Sequence, residues 1–336
     1  MRLLILGGGW FLGRALIEQA LERDHNVVTF TRGKSGGDAP GAALHRGDRA
    51  KDRDMADLAA MGPWDVVIDT SGMTPDMVER SSRALVEEVD RYLYVSTVNV
   101  YQGWPTQPLD DSSAVRSYLP YGPSGESGAD QYGREKVGCE QAVTSVFGDR
   151  ATLLRPGVII GPHEYVGRIP WWLRRIAGGG RVLAPGTPDW SIQPIDVRDV
   201  AAFALDVVEQ QLTGSFNLTA PIGSATFGEL LEACRQATGV PAELEWVDHD
   251  FLISQGVREW TELPLWRPYP GTWKVDSARA RDAGLTCRPL ADTVADTWEW
   301  LSKAGPQPVH ERAAELGISP EREAAVLAAW ASRRGR

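Results

Sequence analysis

The apolar residues of this chain fall into short runs separated by amphipathic stretches, and the two alternate. Leu3–Leu6 is an uninterrupted apolar run that ends in three glycines, followed by Ala15, Leu16, Ile17, Ala20 and Leu21 at helical spacing. Asn26–Thr31 reads as a second strand, Val66–Ile68 in "WDVVIDTSG" as a third, and Tyr92–Ser96 as a further one. Helices are predicted from Pro75 to about Val89 and from near Asp130 to Phe147. A loop rich in Pro, Gly, Ser and Asp fills the stretch from about Tyr101 to Ala129. "ATLLRPGVIIGP" reads as another strand.

Strands that alternate with helices imply a parallel sheet with right-handed crossovers. The fold class expected is α/β, a Rossmann-type doubly wound parallel sheet with a smaller C-terminal substrate-binding region. Residues 1–162 would form the dinucleotide-binding core. Residues 163–336 would form mainly the substrate region, with about 191–220 returning to the core as strand, helix and strand. Ten of the thirteen tryptophans lie beyond Pro162, where the character of the chain changes. "SATFGELLEACRQATG" reads as a helix with Ser224 as N-cap and Gly239 after its end. The segment from Glu243 to Pro270 receives no assignment. Helices are expected in "PLADTVADTWEWLSKAG" and from Pro320 to Ser332.

Ligands of such sheets sit at the carboxyl ends of the strands. The polar or glycine-rich turns fall there: the glycines after Leu6, Thr70–Ser71–Gly72, Ser96–Thr97, and the turn after Pro156. The first turn can be aligned in two ways. Gly7, Trp10 and Gly13 fill a G-x-x-G-x-x-G pattern with Trp10 in place of the middle glycine, or Gly7, Gly9 and Gly13 form G-x-G-x-x-x-G. Either way the turn joins a strand to a helix whose free N–H groups suit a pyrophosphate. The backbone from Gly8 through Phe11 and Leu12 would cradle it. The indole of Trp10 is expected to lie over the cofactor or against the loop after Asp69. Where the second strand ends, an NAD-selective site carries Asp or Glu. This chain has Arg32 and Lys34 there, and two cations suit a 2′-phosphate, so NADP(H) is favoured over NAD(H).

Tyr132 and Lys136 stand four apart on a predicted helix, hence on one face. A neighbouring ammonium favours the phenolate, and such a tyrosine can exchange a proton with a carbonyl or alcohol oxygen. Ser96 and Thr97 offer hydroxyls to orient that oxygen. Trp171 and Trp172 beside Arg174 and Arg175 could line a pocket for a ring-bearing anionic substrate. His25, His45, His249 and His310 show no metal-ligand spacing and are expected at the surface; no metal site is predicted.

On "LGGGWFLG", "STVNVY", "YGREK", "LLRPGVIIGP" and "IDVRDVA", over roughly residues 1–300, the chain resembles the short-chain dehydrogenase/reductase superfamily. It is most similar to the extended and atypical group called the NAD-dependent epimerase/dehydratase family. The resemblance makes Thr97, four residues before Tyr101, the catalytic hydroxyl, with Tyr132 as acid/base and Lys136 as its activator and ribose anchor. It places Val98, Asn99 and His163 at the substrate and Asp48, in "HRGDR", near the adenine. An atypical branch reads G-G-T-R-F-I-G at the first turn, so a large middle residue has a parallel, and its second strand often ends in "NRGK", close to "TRGK" here. The activity implied is NAD(P)-dependent oxidation or reduction of a small-molecule carbonyl/alcohol pair. A sugar-nucleotide epimerase or dehydratase is the alternative, although Val98 and Asn99 replace the Asp-Glu pair of the dehydratases. A non-catalytic nucleotide-sensing or RNA-binding protein is the alternative of another class, because part of the branch comprises chloroplast stem-loop-binding proteins.

Charge weighs against that last reading. The formal net charge is -10 and no basic tract appears, whereas nucleic-acid binding draws on clustered Lys and Arg. The three cysteines are far apart and suggest neither a disulfide framework nor a zinc site. No signal peptide is read at the N-terminus and no run nears the ~18 apolar residues of a membrane span. A cytoplasmic protein without membrane partners is expected, with oligomeric state open between monomer and homodimer.

Overall fold

A computed structural model describes residues 1–33, 39–118, 128–304 and 311–335. Seven parallel strands form the central sheet: β1 Arg2–Leu6, β2 Asn26–Thr31, β3 Ala43–Arg46, β4 Trp64–Asp69, β5 Val89–Val95, β6 Ala151–Pro156 and, after four short strands, β11 Gly214–Leu218. Those four are β7 Ile159–Ile160, β8 Arg181–Pro185, β9 Ser191–Ile192 and β10 Ile195–Asp196. The sheet order is β11-β6-β5-β4-β1-β2-β3, so the winding reverses between β1 and β4 and opens a crevice there. The fold is Rossmann-like.

Strands buried on both faces are apolar at successive positions, and Leu3–Leu6 has no exposed surface. Alternate residues nonetheless part to opposite sides. Leu3, Ile5, Val66 and Ile68 face α1 (Phe11–Glu22) and α6 (Val197–Glu209). Leu4, Leu6, Val67 and Tyr92 face α3 (Pro75–Leu85) and α4 (Ala129–Phe147). A third core gathers Trp172, Phe227 and Trp266 between α5 (Arg168–Ala177), α7 (Phe227–Thr238) and the residues that follow.

Several elements differ from the sequence reading. β3 is an unanticipated edge strand of four residues with mostly exposed side chains, so it carries no apolar signature. The third strand read from the sequence is β4 and is longer at both ends; β5 begins at Val89, which cuts the preceding helix to Leu85. Thr226, not Ser224, caps α7, because its hydroxyl accepts from Glu229 N while the Glu229 carboxylate accepts from Thr226 N. The unassigned stretch contains β13 (Glu243–Val247), paired with β8, and α8 (His249–Ser254). His249 is not a surface residue: its ring lies 4.1 Å from that of Trp190 and its Nδ1 accepts from Trp266 Nε1 at 2.9 Å. His310 and Lys34 lie outside the described residues.

Residues 195–218 supply β10, α6 and β11 to the sheet side of the molecule. So do Ala280 and Leu285, which join the α1–α6 core. Val275 O accepts from Thr219 Oγ1 and Gln193 Nε2 and fastens that later segment down. Among the described residues no helix is long and apolar enough to cross a membrane.

Candidate active site

The first turn leaves β1 through Gly7 at φ +111° and Gly8 at φ +110°, conformations that strain any residue with a Cβ. A Cβ on Gly7 would strike Thr70 Oγ1, and one on Gly13 would stand 2.6 Å from Gly8 Cα. The glycines with structural duty are therefore Gly7, Gly8 and Gly13, while Gly9 is absent from the left-handed set. The turn delivers Trp10, Phe11 and Leu12 to the N-terminus of α1, where no side chain caps the helix. Unclaimed N–H groups beside glycines that leave no room for side chains fit a dinucleotide pyrophosphate.

The ring of Trp10 packs at a tilt on that of Tyr165 with centroids 5.0 Å apart, and Phe11 meets the same tyrosine edge-on at 6.2 Å. Loop 161–167 therefore covers the outside of the glycine turn. An aromatic pair of this kind contributes about 0.5–1.5 kcal/mol beyond buried area. A double-mutant cycle with Trp10→Gly and Tyr165→Leu, read by urea unfolding, should show a coupling of about that size. Additive losses would show that the rings merely adjoin.

The ends of β4 and β5 meet α4. Thr70 Oγ1 and Ser71 Oγ donate to Leu6 O at 3.2 and 3.0 Å and tie that turn to the glycine turn. Thr97 is half-buried; its Oγ1 accepts from Asn99 N at 3.2 Å, and its own hydrogen remains to donate. Val98 and Asn99 are buried just after it. A Cβ on Gly133 would run into Asn99 O, so the glycine beside Tyr132 lets the Thr97 turn press against the first turns of α4. Tyr132 is half-buried there. One turn on, Lys136 is 4% exposed and donates to Gly72 O at 3.0 Å, Val95 O at 2.9 Å and Tyr94 OH at 2.6 Å. Burial pulls its pKa down to about 8. Pro156 is buried at the end of β6, and Ser96 Oγ is buried without a partner.

At the far end of the crevice, Arg32 is exposed after β2 and Asp48 is half-buried after β3. Arg46, at the end of β3, donates to Thr31 Oγ1 at 2.7 Å and lies over Gly33. It adds a cation that sequence spacing could not place beside Arg32. Beneath the crevice runs a buried ion pair. Arg49 grips Asp69 bidentately at 2.9 and 2.6 Å and also donates to Ser81 Oγ, while Tyr92 OH donates to Asp69 at 2.8 Å.

Two further residues expected at the substrate, His163 and Trp171, follow β7. His163 takes φ +67°, and its ring packs on Trp300 of α10 (Leu290–Lys303) at 4.9 Å. It lines a cleft of about 610 Å³ with Arg14, Arg198 and Asp296. Burial, with Arg14 nearby, pushes its pKa down to about 4. Trp171 lies on α5 along a groove with Arg174, Arg181 and Ile318. Glu164 is buried and accepts from the N–H groups of Arg168 and Ile169, which makes it a cap for α5.

Sequence reading missed Arg267. Its guanidinium lies 4.5 Å from the ring centre of Trp104, 5.3 Å from that of Trp260 and 5.8 Å from that of Tyr269. Its Nε is buried and makes no hydrogen bond, and it lies 3.9 Å from Glu259 Oε1. Trp104 O accepts from Arg116, which also donates to Asn99 O and pairs with Asp130 of α4. That chain of contacts sets Arg267 on the side of the site formed by the C-terminal half.

The profile of the NAD dependent epimerase/dehydratase family matches residues 3–218. The chain belongs to that family. It is 30% identical over 259 residues to the chloroplast stem-loop binding protein of 41 kDa b of Arabidopsis thaliana, covering 71% of this chain and 64% of that one. It is 32% identical over 181 residues to 2-alkyl-3-oxoalkanoate reductase of Stenotrophomonas maltophilia (strain K279a), covering 49% of this chain and 52% of that one. The chain thus spans less than two thirds of the length of either relative. Among solved structures, Bordetella bronchiseptica WbmH in complex with NAD+ superposes with a TM-score of 0.69 at 18% identity, over 91% of this family member and 99% of that chain.

Proposed function

We propose that this protein is an NAD(P)-dependent oxidoreductase that reduces or oxidises a carbonyl/alcohol group of a small molecule, with NADP(H) favoured over NAD(H). The observation that carries the reading is that the Thr97 turn packs on the start of α4, the helix of Tyr132 and Lys136, while Lys136 bonds the turn after β4 that is tied to a glycine turn with no room for side chains. The glycine turn and the N-terminus of α1 would hold the pyrophosphate, Asp48 the adenine end, Thr70 to Gly72 and Pro156 the inner half, and Lys136 the ribose next to the ring. When bound, the nicotinamide supplies hydride exchange.

Tyr132 exchanges a proton between its hydroxyl and the substrate oxygen. Thr97 donates to the same oxygen with the hydrogen it does not use internally. Lys136, held as a buried cation at the base of the site, stabilises negative charge as it develops there. Arg267 would meet an anionic group of the substrate, because a desolvated guanidinium whose Nε makes no hydrogen bond, and faces Glu259 only at 3.9 Å, can still gain from a carboxylate or phosphate. The 3-oxoalkanoate in the name of the Stenotrophomonas relative combines a ketone with a carboxylate, which suits this pairing. RNA binding is disfavoured by the formal net charge of -10.

Absorbance at the reduced-nicotinamide band, with NADPH and a panel of oxoacids and ketones, tests the reading. Stoichiometric loss of NADPH supports it; conversion of a sugar nucleotide without net loss would replace it with epimerisation. Cofactor choice has its own test. Neutralising the basic turn in Arg32→Gln/Lys34→Gln should weaken NADPH binding by ~10-fold or more, the worth of charge-assisted bonds to one phosphate, and weaken NADH binding far less. Equal weakening of both would leave the basic turn a solvated loop.

A further inference from the structure

Lys136 has three N–H donors, and the structure accounts for all of them: Gly72 O, Val95 O and Tyr94 OH. A lysine that is to hold a ribose hydroxyl has none left. Two of the three acceptors are main-chain carbonyls, Val95 O at the end of β5 and Gly72 O in the turn after β4. The third is a side chain. Tyr94 is fully buried, and its own hydrogen goes to Gly72 O at 2.8 Å, so its hydroxyl stays satisfied if the lysine lets go. Gly72 O and Tyr94 OH each keep the hydrogen bond between them if the lysine turns away, and of these two Tyr94 OH is the side chain, so its exchange takes no donor from a main-chain group.

We propose that Tyr94 is a positioning residue that parks the third N–H of Lys136 while the dinucleotide site is empty and yields it to the cofactor ribose on binding. The proposal rests on the reading of the crevice as a dinucleotide site. The parking contact keeps a buried ammonium fully paired in the free protein, where an unpaired N–H would carry a desolvation cost. The same contact lowers cofactor affinity, since a ribose hydroxyl must replace an existing bond and not fill a vacancy. The groups facing the lysine are Tyr94 from β5, Cys139 and Glu140 from α4, Asp69 from β4, and Arg49 behind Asp69. The acidic ones sustain the ammonium, while Arg49 and burial oppose it.

Tyr94→Phe keeps the ring and removes the competing oxygen. Titrating intrinsic fluorescence at pH 6, where Lys136 is charged, should show NADH and NADPH both binding about three- to tenfold tighter than to wild type, the net worth of one hydrogen bond. Loss of an acceptor also disfavours the ammonium, so the alkaline limb of cofactor affinity should move below the wild-type midpoint. In a Lys136→Met background the same tyrosine change should alter nothing, which separates positioning from general packing. Unchanged or weaker binding by Tyr94→Phe at pH 6 overturns the proposal and leaves the dinucleotide reading intact. Failure of wild type to bind either dinucleotide overturns both. A measurement on the wild type stands even if Tyr94→Phe does not fold. The sequence has five lysines, and the Lys136 signal in ¹³Cε-lysine NMR, assigned by its loss in Lys136→Met, should shift when NADH is added. A signal that NADH leaves unmoved also overturns the proposal.

Discussion

Tyr132→Phe is expected to lower turnover by at least about 10²-fold, the low end for one positioned acid/base, with the unfolding transition unchanged. The substitution removes one oxygen and keeps the ring at a half-buried position on α4. Lys136 would still press its charge on the site, and the Thr97 turn would still bear on Gly133. Cofactor titration should therefore be close to wild type while NADPH oxidation collapses. Near-normal turnover would remove Tyr132 from the chemistry and direct attention to Thr97 or a bound water.

The second large effect concerns stability. Asp69→Asn should cost about 3–5 kcal/mol, the usual penalty for leaving one member of a buried ion pair alone. Asp69 is fully buried and Arg49 is 7% exposed, so neither can turn to water. Burial raises the Asp69 pKa, but the charge and hydrogen bonds of Arg49, with the Tyr92 hydroxyl, outweigh it and hold the carboxyl below its ordinary range. A carboxylate depressed in the folded state contributes stability that is present above its unfolded pKa, about 3.9, and is lost as pH falls through the folded value. Wild type should thus lose stability on acidification below about pH 4, and Asp69→Asn should lack that component. Replacing both partners by Leu and Met should cost less than Asp69→Asn alone. Urea unfolding at pH 7 and at pH 3 measures all of this; an Asn variant within 1 kcal/mol of wild type, against the roughly 3–5 expected, would show that the pair is hydrated or dispensable.

The sheet was readable wherever burial on both faces leaves an apolar run, as in Leu3–Leu6, or a glycine turn marks a strand end. β3 was not readable, because an exposed edge strand of four residues has no run to show. The cap at Thr226 carried a signal, the T-x-x-E spacing to Glu229, that outweighs Ser224 once both ends of the box are counted. Asp69 carried one too: an aspartate closing the apolar run "VVID" must be paired if that run is buried. What no local pattern could supply was direction. His163 follows the Gly161–Pro162 turn, and a left-handed backbone that no spacing reveals sets its ring on Trp300. Tyr94 reads as one more strand residue until α4 brings Lys136 onto it, and Arg267 reads as solvated until Trp104, more than a hundred and fifty residues earlier, closes over it.

The placement of β11 bears on how the molecule comes into being. Synthesis of the first 162 residues yields six strands of the sheet, with β6 an open edge whose next neighbour has not yet been made. α1 likewise waits for α6 to cover its apolar stripe. An unpaired strand edge beside an uncovered apolar helix face is a template for association with other chains. The nascent protein therefore passes about fifty residues of translation, from Pro162 to the start of β11 at Gly214, in its most adhesive form. That interval ends only when α6 and β11 have emerged and doubled back onto α1 and β6.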